Sequence, residues 1–559
     1  MIPHVTRFLT ILVLASAMLG CGQDKEKNDQ ELTTKDVRHA EKLIGLEFTA
    51  SERDSLIRDV RQNRDAYETI REVDLPNSVA PILQFDPVPG WMEPDTRSEP
   101  LIWDLPFSVD KPSNPEELAF YSVPELSVLI RQQKITSEEL TQLYIERLKR
   151  YGDTLNCLIT LTEELALKQA RKADKEISRG NYRGPLHGIP YGLKDLVNVE
   201  GYKTTWGAAP FKDQRLEENA TVYKKLRDAG AVLVAKLSMG ALAMGDVWFG
   251  GTTKNPWDLE QGSSGSSAGS ASATVAGLVG FSIGTETYGS IVSPSTRCGA
   301  SGLRPTFGRV SRAGAMALSW TMDKIGPICR TARGCAMVFD AIQGPDQIDL
   351  TVRDVPFNYN ARADVSQLKV GYFKELFSQD YRGRDNDSVA LQKIRDLGVE
   401  LHEVSLPDSI PVSPLLIILE AEAATAFDKL TRTDRDSLLV AQHRHAWPNS
   451  FRKSRFIPAV EYIQANRLRT ILSDQVNRLF SEYDVIITPS FGGNQLLTTN
   501  LTGHPCVVVP NGFDDKDRPT SISFLGNLYE EGKILQLAGA YQEATEWEEK
   551  RPEFFVRKQ

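Results

Sequence analysis

The part of this chain that most constrains its fold and chemistry is residues 261–312, where two turns rich in small residues flank an apolar run. The first turn, 261–270, holds five serines and three glycines, and the apolar run 275–283 leads to a second turn at 285–290. Glycine lets backbone N–H groups approach a ligand closely because it lacks a Cβ, and interleaved hydroxyls serve as nucleophiles or proton carriers. The stretch therefore predicts chemistry on an oxygen or a carbonyl group.

Other interpretations of the first turn compete with this one. A flexible linker has the same composition, but Trp257 and the apolar run 275–283 favour a packed turn. A phosphate-binding loop requires a lysine after the glycines, and none occurs between Lys254 and the end of the apolar run. Residues 265–269 match the G-x-S-x-G elbow of Ser-His-Asp hydrolases, which would make Ser267 the nucleophile. The elbow hypothesis stays open, because histidines follow downstream. They are His402, His443, His445 and His504.

Read together, the two turns resemble the amidase signature family. The family pattern is a G-G-S-S-G-G-S loop, an apolar segment and a G-(S/T)-(D/E)-T-x-G-S-I turn, and this chain has SGSSAGS at 264–270 and GTETYGSI at 284–291. The similarity covers about residues 115–545. It includes GIPYGLKD at 188–195, CG at 298–299, GLRPT at 302–306, GRVS at 308–311, DKIGP at 323–327, YDVIITP at 483–489 and GHP at 503–505. The resemblance implies an α/β layered fold, with a mixed central β-sheet flanked by α-helices, and amide chemistry that needs no cofactor and no metal.

The resemblance further implies a Ser-cisSer-Lys triad. By position, Ser290 is the nucleophile, Ser266 the bridging serine in a cis peptide, and Lys194 the terminal base. A lysine acts as a base only when neutral, which requires its pKa to fall by about three units from 10.4. Asp195 would oppose that fall unless its carboxylate points elsewhere. Apolar residues around Lys194 favour the lower pKa. They are Ile189, Pro190, Leu193, Leu196 and Val197.

Acyl transfer also needs hydrogen-bond donors aimed at the developing oxyanion. The resemblance assigns this role to the N–H groups of the turn before the nucleophile, which are those of Thr287, Tyr288, Gly289 and Ser290. Ser267 is also expected to contact the substrate. Four other residues in or beside matched motifs are predicted to brace the fold rather than act chemically. They are Arg304, Arg309, Arg312 and Asp323.

Two positions depart from the family pattern. Tyr288 occupies a position that is glycine in many members, so its side chain either reshapes the mouth of the site or packs in the core. Val292 stands where many members that act on charged amino-acid amides have arginine. A substrate carboxylate loses a bidentate partner there, which favours a neutral amide such as a peptide or aryl amide.

The N-terminus predicts export. Arg7 precedes an apolar run at 8–19 that is too short for a comfortable membrane span, and Met-Leu-Gly-Cys follows at 18–21. This resembles a bacterial lipoprotein signal (1–20), with Cys21 as the lipidated first residue and 21–34 as a polar tether. A simple membrane-anchor helix is the alternative. The protein is therefore predicted on the cell envelope, attached to a membrane through lipid.

Net charge and cysteine usage disfavour several classes of partner and site. The 559 residues carry a net charge of −9 without a basic block, which disfavours nucleic acid. Beyond Cys21 the cysteine count is odd and the spacings are wide, so buried reduced thiols are predicted rather than disulfides or a zinc site. These cysteines are Cys157, Cys298, Cys329, Cys335 and Cys506.

The remaining patterns divide the chain into regions. Residues 35–110 are predicted as a helical appendage with an extended connector. The helical part is 35–75, with a capping box at Thr49 and Glu52, and the proline-rich connector starts at 75–90. Residues 111–548 are predicted as the catalytic domain, in which helices and strands alternate. Helices are predicted at 122–151, 162–179 and 221–229, and strands at 231–235, 368–372, 400–404 and 484–488. Specificity is expected from 410–470, where the resemblance is thinnest.

The sequence thus predicts an exported, lipid-anchored amidase that cleaves a small amide or peptide amide through a serine acyl-enzyme. One alternative is a glutamine amidotransferase-type component; it would require a cytoplasmic chain with partner subunits, and the export signal disfavours it. A catalytically idle envelope lipoprotein that binds a ligand is the other, and the complete triad disfavours it.

Overall fold

A computed structural model of the chain describes residues 31–556, which form two compact units divided after Asp74. The small unit consists of α1 (Thr34–Ile44) and α2 (Ala50–Glu72). At the start of α2, Thr49 and Glu52 form the reciprocal hydrogen bonds of a capping box, which satisfy N–H groups that a helix end leaves unpaired. The predicted cap at Thr49 is confirmed, and the predicted helical region 35–75 is two helices.

The large unit begins at Leu75 and contains the remaining elements. Its helices are α3 (Val123–Arg131), α4 (Ser137–Leu155), α5 (Glu163–Ile177), α6 (Thr221–Asp228), α7 (Ala268–Val275), α8 (Val292–Cys298), α9 (Ala332–Ile342), α10 (Lys374–Phe377), α11 (Arg384–Asp396), α12 (Ile417–Ala426), α13 (Asp428–Arg432), α14 (Trp447–Ser454), α15 (Ala459–Phe480), α16 (Gln495–Thr502), α17 (Glu531–Thr545) and α18 (Glu553–Val556). Its strands are β1 (Leu158–Leu161), β2 (Pro190–Lys194), β3 (Val232–Leu237), β4 (Val247–Trp248), β5 (Gly251–Thr252), β6 (Lys254–Asn255), β7 (Asp258–Gly262), β8 (Phe281–Glu286), β9 (Ser301–Arg304), β10 (Lys324–Cys329), β11 (Val370–Phe373), β12 (Leu401–Val404), β13 (Val485–Pro489), β14 (Cys506–Phe513) and β15 (Pro519–Gly526).

Within the described residues, eleven strands form one mixed sheet in the order β1-β3-β2-β8-β10-β9-β14-β15-β13-β11-β12. Pairing is parallel between β2 and its neighbours β3 and β8, and between β11 and its neighbours β12 and β13. The six other pairings are antiparallel. Helices cover the sheet, and β2, β3 and β13 are buried along their whole length, as strands of a covered sheet are. The predicted fold, a mixed central sheet flanked by helices, is confirmed.

Most of the predicted elements occur with shifted ends. The helix predicted at 122–151 is divided into α3 and α4, because residues 132–136 leave the helical conformation before the capping box of Thr136 and Glu139 starts α4. The predicted strands at 368–372, 400–404 and 484–488 correspond to β11, β12 and β13. The five cysteines between residues 31 and 556 are buried and free, as predicted.

Several predictions concern residues outside this part of the chain. The signal peptide 1–20, the lipid attachment site Cys21 and most of the tether 21–34 precede residue 31. Between residues 31 and 556, no helix has the length and apolar character to span a bilayer. The limits of the appendage (35–110) and of the catalytic domain (111–548) stay predictions; the connector that starts at Leu75 clusters with the large unit.

Candidate active site

Lys194 is the last residue of β2, next to the parallel strand β8, where Leu193 pairs with Ile283. Because both strands run in the same direction, the end of β2 and the turn that follows β8 meet at one edge of the sheet. The Lys194 side chain is fully buried. Its Nζ lies 2.8 Å from Oγ of Ser266, 3.0 Å from Oγ of Ser267 and 2.9 Å from Oγ1 of Thr285.

The surroundings of Lys194 favour the neutral amine. Burial holds the pKa of Lys194 well below its ordinary value, and the negative charges of Asp323 and Glu286 oppose this only in part. Asp195 does not act on Lys194, because its carboxylate accepts hydrogen bonds from Thr205 and lies 2.9 Å from Nζ of Lys236. The structure therefore meets the condition that the sequence placed on Asp195.

The first serine turn reaches Lys194 through a sharply bent backbone. The peptide bond between Gly265 and Ser266 is cis, as the resemblance implies. A Cβ at Gly265 would lie 1.8 Å from the carbonyl oxygen of Gly245, so the position excludes every side chain. The N–H of Ser267 donates to the carbonyl oxygen of Ser290 over 3.2 Å. This bond ties the two serine turns together.

Glu286 holds the second turn in place. Its Oε2 accepts from the N–H groups of Ile291 (2.8 Å) and Val292 (3.0 Å), and its Oε1 accepts from Arg304 (3.0 Å) and Asn500 (2.8 Å). Burial alone would raise the pKa of Glu286, but Arg304 and the N–H donors keep it below its ordinary value. The carboxylate therefore stays ionised and joins the end of β8 to the start of α8.

Four backbone donors of this turn are available to a ligand. In the part of the chain that the structure describes, no backbone or side-chain acceptor pairs with the N–H groups at 287–290. Gly289 has φ of +84°, a conformation that only glycine adopts without strain, and it lies immediately before Ser290. The N–H groups predicted as oxyanion donors therefore have no partner among the described residues, and Glu286 fixes the turn that carries them.

We expect Arg304→Met to destabilise the fold by about 3–5 kcal/mol, because the substitution leaves the fully buried carboxylate of Glu286 without its cation. Urea unfolding at neutral pH measures this change. Arg333→Met is the matched control, since its partner Glu543 is exposed and such pairs contribute about 0–1 kcal/mol. Equal destabilisation by the two variants would contradict the bracing role of Arg304.

Asp323 also contacts the second turn, although the sequence predicted only a bracing role. Its Oδ1 accepts from Oγ1 of Thr287 over 2.5 Å, and its Oδ2 accepts from the N–H groups of Leu318 and Ser319. Sequence reasoning gave no role to Thr285, whose Oγ1 lies beside Lys194. The serine-or-threonine position of the family pattern was the available signal for it.

Ser290 opens onto a cavity of about 590 Å³. Tyr288 lines the same cavity and is 44% exposed, so it lies at the mouth of the site and not in the core. Val292 is buried and does not line this cavity. The segment 410–470 supplies one wall of the cavity, which includes Leu416, Leu419, Glu420, Arg444, His445, Trp447, Asn449, Ser450 and Lys453.

The alternative nucleophile, Ser267, lies in different surroundings. It is fully buried, and its Oγ donates to the carbonyl oxygen of Thr285 and accepts from Lys194. Among the described residues none of its hydrogen bonds involves a histidine. His504 is buried beside Thr502, and burial lowers its pKa to about 3. These contacts do not support the elbow hypothesis.

Comparison with known proteins identifies the family of this chain. The family model described as Amidase matches residues 139–497. The chain is 32% identical over 486 residues to a glutamyl-tRNA(Gln) amidotransferase subunit from Moorella thermoacetica, and the match covers 79% of this chain and 100% of that protein. The corresponding subunit from Carboxydothermus hydrogenoformans is 31% identical over 483 residues, with 78% and 99% covered.

A solved structure shows the same likeness. The native peptide amidase from Stenotrophomonas maltophilia superimposes with a TM-score of 0.69 and 28% identity over 77% of this chain and 98% of its own. The family model, the full-length relatives and this fold agree with one another. This chain belongs to the amidase signature family, whose members act on amide C–N bonds.

Proposed function

We propose that this protein hydrolyses a linear carboxamide through a serine acyl-enzyme, with Ser290 as nucleophile, Ser266 as relay and Lys194 as base. One observation carries the proposal: Nζ of a fully buried lysine lies 2.8 Å from Oγ of Ser266, in the loop that is hydrogen-bonded to the Ser290 turn. A serine hydroxyl becomes a good nucleophile only when a neighbour takes its proton.

The proposed proton path has two steps. Neutral Lys194 accepts the proton of Ser266, and Ser266 takes the proton of Ser290 as Oγ of Ser290 attacks the amide carbon. The same path in reverse protonates the leaving amine, so the C–N bond breaks and the acyl group stays on Ser290. Water then attacks this ester and gives its proton to the same relay. The bond between the acyl carbon and Oγ of Ser290 breaks, the carboxylic acid leaves, and the relay returns the proton to Ser290. The free N–H groups at 287–290 stabilise the negative oxygen in both steps.

The residue at position 292 favours a substrate without an obligatory charge. Valine offers no ion pair to a substrate carboxylate, where many family members that act on charged amino-acid amides have arginine. The likeness to a peptide amidase supports a small amide or a peptide amide as the substrate class. Tyr288, at the mouth, provides an aromatic surface for it.

A second candidate function is that of an amidotransferase component which works with partner subunits. The observation that favours it is the identity of about one third to full-length proteins named as subunits of glutamyl-tRNA(Gln) amidotransferase. Under this candidate, Ser290 attacks the side-chain amide of glutamine. The purified chain alone should then cleave glutamine better than amides of similar size that lack its charged α-amino and α-carboxylate groups. The opposite preference supports the independent amidase.

The test of the proposed chemistry is labelling by a serine-reactive fluorophosphonate, with mass mapping of the modified residue in the wild type and in Lys194→Ala. We expect labelling at Ser290 that is lost without Lys194. Labelling at Ser267 that persists in Lys194→Ala would support the elbow hypothesis, in which a histidine is the base. No labelling at all would support the idle ligand-binding lipoprotein.

We also propose export and lipid attachment at Cys21, on the pattern of residues 1–21. Expressed in a bacterium, the full chain should reach the membrane fraction, and its mature N-terminus should be a lipid-modified cysteine by mass spectrometry. Cys21→Ser should abolish the lipid mass. An unmodified N-terminus at Met1 in the wild type would contradict the proposal.

The pH dependence of turnover should report Lys194. Because the carboxylate of Asp323 raises the pKa of Lys194, Asp323→Asn should lower it. Lysine would then stay neutral to lower pH, and the acid limb of kcat/KM should move to lower pH. Asp387→Asn is the control, because Asp387 is a buried carboxylate bonded to Tyr381 and Asn511. This variant should leave the acid limb of kcat/KM in place. An unmoved limb in Asp323→Asn would contradict the assignment.

A further inference from the structure

A second cavity, of about 360 Å³, adjoins the proposed active site. Its walls are the connector at 77–84, the loop at 312–318 and the segment 348–351. It reaches Thr285, whose Oγ1 contacts Lys194, and it shares Ala243, Thr287 and Leu318 with the cavity of Ser290. The two cavities are therefore adjacent at the second turn.

The charged side chains of this second cavity, and the amide of Asn77, are already bonded within the protein. Arg312 forms an ion pair with Asp349 over 2.8 Å. Asp323 accepts from Thr287, and the side chain of Asn77 bonds to both backbone groups of Ala317. A ligand thus meets few unsatisfied charges here. Most of the wall is apolar, with Pro81, Leu196, Met316, Leu318 and Ile325 among its residues.

The mouth of the second cavity is formed by unusually exposed apolar side chains. Ile82, Leu83, Ile348 and Leu350 all line it and are between 63% and 92% exposed. Large apolar side chains grouped at one exposed opening mark a binding site more often than an ordinary surface does. They would be covered by an apolar group that enters between the connector and the segment 348–351.

We propose that the second cavity binds an apolar alkyl or aryl group of the substrate, whose amide lies at Ser290. The inference rests on the proposed function and deepens it: it names the substrate class as an amide with an extended apolar group that passes Thr287. The volume lies within the range of small-molecule sites, and its apolar wall matches what such sites present to a ligand.

The first test is kinetic. Two series of neutral substrates are compared, unbranched primary alkanamides and N-alkylacetamides, each with chains of two to eight carbons. We expect kcat/KM to rise by up to about fourfold for each methylene that becomes buried, in at least one series. The series that responds tells which side of the amide occupies the second cavity. Equal kcat/KM across both series would overturn the inference.

The second test fills the cavity. Ala80 lines it from the connector and is exposed, so Ala80→Phe places a ring in the cavity without disturbing the core. This variant should reduce the eight-carbon to two-carbon ratio of kcat/KM to near one. The control, Phe107→Ser, changes an exposed aromatic side chain that does not line the cavity, and should keep the wild-type ratio.

A binding measurement separates failure of this inference from failure of the proposed function. The uncharged fluorophore N-phenyl-1-naphthylamine is titrated into the full-length wild type, Ala80→Phe and Phe107→Ser. We expect at least a tenfold loss of affinity in Ala80→Phe alone. Equal affinity in all three proteins overturns the inference even if fluorophosphonate labels Ser290. If fluorophosphonate does not label Ser290 but Ala80→Phe still loses affinity for the fluorophore, the proposed chemistry is wrong and the apolar binding site is supported.

Discussion

Ser290→Ala should lower kcat for amide hydrolysis by at least about 10⁴-fold, because the variant lacks the oxygen that forms the acyl-enzyme. The turn itself should persist, since Glu286 holds it through the N–H groups of Ile291 and Val292 and not through the Ser290 side chain. Stopped-assay rates with a neutral amide, together with thermal unfolding of both proteins, measure the effect and confirm that the variant is folded.

The matched control is Ser293→Ala, one turn further along the chain. Oγ of Ser293 lies 2.6 Å from Oγ of Ser264 and has no part in the proposed proton path. We expect this variant to keep kcat within about tenfold of the wild type. If Ser290→Ala retains comparable activity, Ser290 is not the nucleophile. Fluorophosphonate mapping of that variant would then identify the serine that is.

Lys194→Arg should lower kcat/KM by about 10²–10⁴-fold, the usual contribution of a general base. Arginine stays protonated in proteins, so it cannot accept the proton of Ser266. A base that works only when neutral therefore loses its function in this variant, although a basic side chain of similar length is present. The pH profile of residual activity should also lose the acid limb assigned to Lys194.

Lys236→Arg is a close control, because Lys236 is equally buried on the neighbouring strand β3. Its Nζ is 2.9 Å from the carboxylate of Asp195, so the position needs a cation and arginine supplies one. We expect this variant to stay active within about tenfold. Similar losses of activity in the two variants would indicate that a larger side chain disturbs the sheet, and not that Lys194 acts as the base.

Local patterns in the sequence predicted much of the architecture. The capping box at Thr49 and the buried strand that became β13 were predictable, because caps and apolar runs act through neighbouring residues. The division of 122–151 into α3 and α4 was missed, although the capping box at Thr136 and Glu139 was an available signal for it. The order of the eleven strands was beyond such patterns, because pairing joins residues far apart in the chain.

The sequence by itself determined the family, the mixed α/β fold and the two serine turns with the lysine-bearing strand, because each is encoded in a short run of residues. Only the tertiary structure decided that Asp195 turns to Lys236, that Tyr288 lies at the mouth of the site, that Asp323 contacts the second turn and that Thr285 contacts Lys194. The direction of a side chain and its burial depend on which segments pack around it. Those segments meet only when the parallel strands β2 and β8 bring their ends together at one edge of the sheet.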